Sequence, residues 1–93
     1  MTKCEFYQMD KVSFLTERKL LGKRIRQLRE LCLNENTGKK ISQEELALRL
    51  GLAKNHIGLI ERGKTNTTVD VLFGISKEFK TDVAELFNFK ELI

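Results

Sequence analysis

Apolar residues recur along this chain at steps of three and four, in blocks separated by short polar segments. Leu20, Leu21, Ile25, Leu28, Leu31 and Cys32 form one amphipathic stripe, with Thr16 placed to cap its start. Arg18, Lys19, Lys23, Arg24, Arg26 and Arg29 lie mainly on the other faces, the usual arrangement of a solvated surface. Leu46, Ala47 and Leu50 mark a second helix, and Ile57 with Ile60 a short third. Val69, Leu72, Phe73, Ile75, Ser76 and Phe79 mark a fourth. Val83, Leu86 and Phe87 mark a last one, reaching about Asn88. The pattern predicts an all-α fold of five helices.

The residues between the blocks support these boundaries. Asn34 to Lys40, NENTGKK, is polar, contains a glycine and reads as a loop. Ser42 and Glu45 have the spacing of a capping box, hydroxyl to one free N–H and carboxylate to another. Gly51 can take a positive φ where the chain must reverse. Ala47, four residues earlier, is small enough for a second helix to cross closely. Ala53 is a poor cap for a third helix starting near Lys54. Gly58 costs that helix up to ~1 kcal/mol, and close approach to a partner would compensate. Gly63 closes it. Thr68 caps the fourth helix, and Thr81 or Asp82 the last. Two helices crossing at roughly 90–120° through a short turn form a helix-turn-helix, spanning about residues 42–63.

Residues Ser42-Gln43-Glu44-Glu45-Leu46-Ala47, Gly51-Leu52, Ile57 and Ile60-Glu61-Arg62-Gly63 resemble the Cro/C1-type family of DNA-binding regulators, also called XRE-like or lambda-repressor-like. The resemblance runs from about Leu21 to about Phe87. It implies a compact five-helix domain over 16–93, with helices 2 and 3 as the motif and residues 1–15 as an arm or short helix. An added dimer element is the alternative for 1–15. The resemblance also implies a pair between Arg29 and Glu61 that ties helix 1 to helix 3. Gln43 is then a phosphate contact that braces the reading helix. Arg62, Lys64 and Asn66, at the end of helix 3 and in the loop after it, would touch phosphates.

With Ile57 and Ile60 turned inward, the outward side of helix 3 presents Lys54, Asn55, Gly58 and Leu59, with His56 at its edge. Asn can bond bidentately to adenine, Lys can donate to guanine, and Leu59 could touch a thymine methyl. His56 reads equally as a DNA contact or a plain surface residue. Lys39 and Lys40, just before helix 2, are either phosphate contacts or part of a solvated loop. Glu44 and Glu45 are acidic near the expected duplex and must point away or serve as caps. The family commonly passes from helix 1 to helix 2 in fewer residues and often has proline where Thr67 stands, so the Asn34–Lys40 segment resembles an insertion.

Ninety-three residues with 41% hydrophobic content suit one small domain. A net charge of +4 and a pI near 9.2 fit a nucleic-acid partner without establishing one. No run approaches the ~20 apolar residues of a membrane span. The N-terminal MTKCEFYQMDKVSF is too acidic and too interrupted for a signal peptide. Cys4 and Cys32 lack metal spacing and suit free thiols in a reducing cytoplasm. Phe87, Phe89, Leu92 and Ile93 have no obvious cover in a lone domain, which suggests a homodimer interface, the alternative being that they fold back onto helix 1.

These features point to a repressor or controller binding an approximately palindromic duplex as a homodimer, without cofactor or metal. The alternative is a protein-interaction module, or antitoxin-like partner protein, that kept the fold and lost DNA binding. An enzyme is excluded by what the sequence lacks: no phosphate-binding glycine loop, no nucleophile elbow and only one histidine.

Overall fold

The computed structural model describes residues 13–92, the Glu91 side chain aside. Four α-helices follow one another: α1 (Leu15–Leu31), α2 (Gln43–Leu50), α3 (His56–Glu61) and α4 (Val69–Glu78). Two 3₁₀ helices, Val83–Phe87 and Lys90–Leu92, follow. No strand occurs among the described residues; Leu33 and Lys40 form one isolated bridge.

Helix α1 starts one residue before Thr16, at Leu15, with Phe14 in the cap position and no side-chain cap. Thr16 therefore lies inside the first turn, which the Arg18 N–H closes onto the Phe14 carbonyl at 2.9 Å. The stripe faces the core, where Ile25 is fully buried. Arg24 departs from the expected solvated surface. It falls four residues after Leu20 and four before Leu28, inside the stripe, and it is buried. Its guanidinium donates to the Glu85 carbonyl at 2.8 Å, the Glu85 carboxylate at 3.0 Å and Gln27 at 2.6 Å. This ties α1 to the first 3₁₀ helix.

The Asn34–Lys40 segment is a closed loop. Asn34 and Gly38 N–H donate to the Lys39 and Asn34 carbonyls, both at 2.7 Å, and Ile41 N–H returns to Cys32 at 2.9 Å. The loop delivers Ile41 into the core and Ser42 to the head of α2.

Only half of the expected capping box forms. Ser42 Oγ accepts from the Glu45 N–H at 3.0 Å, but the Glu45 carboxylate turns to Arg49 at 2.9 Å. A cation one turn away makes the stronger, charge-assisted bond. Arg49 also reaches Glu78 on α4 at 3.3 Å. Its hydrogen bonds to Glu45, then Glu78, hold the guanidinium above its ordinary pKa. Gly51, at φ 71°, reverses the chain, and Leu52 N–H bonds the Ala47 carbonyl at 2.8 Å.

Helix α3 begins at His56, not near Lys54. Ala53 has no side chain to cap an earlier start. Its carbonyl instead accepts from His56 N–H at 3.0 Å, leaving Lys54 and Asn55 in a turn. Thr68 caps α4 through the Val71 N–H at 3.1 Å. The stretch expected as a fifth helix is a five-residue 3₁₀ helix; Asp82 stands at its start without a side-chain bond. Ile25, Ile41, Leu46, Ala47, Ile57, Ile60, Ile75 and Leu86 make one core.

Two glycines bring α1 onto the end of α3. A Cβ at Gly22 would stand 2.5 Å from the Ile60 carbonyl oxygen and 2.7 Å from the Glu61 carbonyl carbon. A Cβ at Gly63, whose φ is 70°, would stand 2.8 Å from Lys19 Cγ and 3.1 Å from Lys19 Cα. Gly22→Ala gains up to about 1 kcal/mol of helix propensity. It must also force backbone apart, an overpacking cost of about 1–3 kcal/mol. We expect a net loss of stability, read as a lower midpoint in urea unfolding; a midpoint raised by the substitution would contradict the close contact.

Candidate nucleic-acid interface

The third helix is fixed from behind by a buried polar cluster. Arg29 Nε donates to Glu61 Oε2 at 2.6 Å and Nη2 to Oε1 at 3.1 Å, while Nη1 donates to the Ile41 carbonyl at 2.8 Å. Gln43 Nε2 adds a bond to Glu61 Oε1 at 2.8 Å. The side chains of Arg29 and Glu61 are 10% and 3% exposed. One carboxylate therefore collects donors from α1 and from the first residue of α2, and the carbonyl preceding α2 completes the arginine's set.

Ile57 and Ile60 are buried behind α3, as the pattern requires. Lys54 and Asn55 are exposed, in the turn before the helix rather than on it; His56 and Leu59 are half-buried. Gly58 does not present an open surface. It is buried, with Gln43 Oε1 and Arg62 Nη1 each 3.1 Å from where its Cβ would be. Glu44 does not point away from this region: it pairs with Lys54 at 3.7 Å, both side chains largely exposed. Such a pair contributes little and is readily exchanged for another anion.

Arg62, Lys64 and Asn66 are exposed around the end of α3, and Lys39 and Lys40 in the loop before α2. Arg18 belongs with them, although the sequence reading left it on a solvated surface. Its Nε donates to the Gly63 carbonyl at 3.3 Å and its Nη1 to Asn66 Oδ1 at 3.4 Å. The signal for it was weak, since it lies outside the apolar stripe and 45 residues from Gly63.

Phe87 is 50% exposed, its ring centroid 6.4 Å from that of the half-buried Phe89. The half-buried Leu92 belongs to the turn that packs on α1. Ile93 and residues 1–12 lie outside the described residues. No three His, Cys, Asp or Glu side chains gather as a metal set among the described residues, and no helix there is long and apolar enough to cross a membrane.

The helix-turn-helix family model matches residues 35–86. An uncharacterized HTH-type transcriptional regulator of Archaeoglobus fulgidus is 33% identical over 51 residues, 55% of this chain and 72% of that protein. The restriction-modification controller protein C.AhdI from Aeromonas hydrophila superposes with a TM-score of 0.62 at 29% identity, covering 77% of this chain and 98% of that one.

Removing one partner of a buried ion pair strands the other. Glu61→Ala is therefore expected to cost roughly 3–5 kcal/mol, with Glu61→Gln in between because it still accepts one bond. Thermal unfolding checks this; an unchanged melting temperature for Glu61→Ala would count against a structural role for the pair.

Proposed function

The chain belongs to the Cro/C1-type helix-turn-helix family of DNA-binding transcriptional regulators, and from that membership we propose that it reads one operator half-site per copy and acts as a homodimer on an approximate palindrome. The observation that carries this reading is the bracing of α3. Its outward residues sit on a helix, and in the turn leading into it, that Arg29 and Gln43 hold from behind through Glu61.

Lys54, Asn55, His56 and Leu59 meet base edges in the major groove, where the N-terminal part of the second motif helix docks. Lys39, Lys40, Lys64 and Asn66 contact phosphates on either side, together with the N-terminal N–H groups of α2 at Gln43. Arg62 adds a cation to the same face. On docking, Lys54 exchanges Glu44 for the duplex. Two copies joined through Phe87, Phe89, Leu92 and Ile93 set two reading helices ~34 Å apart, one turn of the duplex. The C.AhdI likeness supports a controller-type role. The chain carries one helix-turn-helix domain, preceded by an arm or short helix, and the protein works in the cytoplasm.

A protein-interaction module is the competing reading, favoured by Leu48, which stands 73% exposed on α2. Selection from a pool of random duplexes separates the two: a palindromic site supports the regulator, and no retardation at low salt supports the module. On the selected site, Asn55→Ala should weaken binding by ~1–3 kcal/mol and relax one base pair per half-site; an equal loss on random DNA would refute base reading. Phe87→Asp should give monomers in sedimentation and lower operator affinity roughly 100-fold through lost avidity. A dimer unchanged by Phe87→Asp would place the interface elsewhere.

A further inference from the structure

The outward face of α3 carries a side chain that the helix pattern alone does not assign to it. Gly58 lies in the first turn of α3, three residues after Asn55 and four after Lys54, which stand in the turn leading into the helix. It has no side chain, and two others cover it. A Cβ at Gly58 would stand 3.1 Å from Arg62 Nη1 and 3.1 Å from Gln43 Oε1. Helical side chains lean toward the helix N-terminus, so Arg62, one turn on, lays its guanidinium back over the glycine. Gln43 arrives from α2. Its Nε2 is anchored on Glu61 at 2.8 Å, which leaves Oε1 as an acceptor at that spot.

Arg62 itself is exposed, and among the described residues its guanidinium makes no hydrogen bond or ion pair. A planar fork of donors meets the O6 and N7 acceptors of guanine with two parallel bonds in one fixed geometry, where a lysine reaches the same acceptors with a single flexible ammonium. A phosphate contact needs only charge and belongs at the rim, where Lys39, Lys40 and Lys64 stand. We infer, on the basis of the DNA-binding reading above, that Arg62 is a base-reading residue that selects a guanine in each half-site, its guanidinium carried over Gly58 and steered by the anchored Gln43.

The test repeats the duplex selection with the full chain carrying Arg62→Lys, which keeps the charge. One guanine position per half-site should weaken in preference while the others keep theirs. Affinity for the wild-type site should fall roughly 5- to 150-fold, with the salt dependence unchanged. Gly58→Ala, whose methyl crowds Nη1, should relax the same position in a chain whose circular dichroism is still helical. A duplex with a guanine analogue lacking N7 should weaken binding by the wild type more than binding by Arg62→Lys. The inference is overturned if Arg62→Lys keeps the guanine preference undiminished, or loses affinity equally on every sequence as a phosphate contact would. A wild-type chain that selects no duplex at low salt overturns the DNA-binding reading itself, and this inference with it.

Discussion

A single buried carboxylate decides where the third helix sits. Glu61 takes two bonds from Arg29 on α1 and one from Gln43 on α2. The apolar core could not set this geometry alone. Burying Ile57 and Ile60 is favourable but non-directional, so a helix held only by them could slide or rotate at small cost. Desolvating an arginine and a glutamate consumes much of their mutual attraction, so the pair is weak evidence for net stability. What it adds is register: the short, forked bonds fit one placement of α3 against α1 and α2. The same carboxylate orients Gln43, so the head of α2 and the outward face of α3 are positioned by one group.

The glycines make that geometry reachable. Arg29 on α1 can bond Glu61 only if the two helices run close, and Gly22 allows α1 to lie on the carbonyls of Ile60 and Glu61. Gly63 repeats the contact one turn toward the start of α1, beneath Lys19. From there Arg18 reaches the Gly63 carbonyl and Asn66. One helix thus supports both the end of α3 and the loop that follows it. The glycine in mid-α1 sacrifices helix propensity, up to about 1 kcal/mol, for an approach that no other residue permits.

The sequence carried the architecture further than the details. Ile57, Ile60, Gly51, Ser42 and Thr68 each follow from local rules of periodicity, turn geometry and capping, and each stands where those rules put it. The misplacements came from competition between partners. Thr16 and Lys54 fit as helix starts locally, yet each real start lies one or two residues away, set by backbone bonds a propensity scale does not weigh. Glu45 had the spacing of a reciprocal cap and went to Arg49, because a charged donor outbids an N–H. Arg24 was legible in principle: a charged residue inside an apolar stripe needs a partner, and Glu85 supplies one from 61 residues away. Gly58 and Gly22 were ambiguous, since a glycine in a helix marks an intimate contact without naming the occupant. For Gly58 the occupants are the side chains of Gln43 and Arg62; for Gly22, the backbone of another helix.

The size of α3 constrains how such a protein can find a site. With its six helical residues spanning about 9 Å and one or two residues at each end, the face can meet only a few base pairs of a duplex that rises about 3.4 Å per pair. Three specified pairs recur about once in 64 positions, against the roughly 10⁶ to 10⁹ sites a genome offers. No refinement of one reading face closes that gap. Phosphate contacts raise affinity for all duplexes alike and so do not help to choose among them. Doubling the face does more, because two half-sites at a fixed spacing multiply their selectivities. A regulator built on so short a helix gains selectivity as well as avidity from a second copy, and on the proposed reading the exposed face at Phe87 would then serve recognition alongside Asn55.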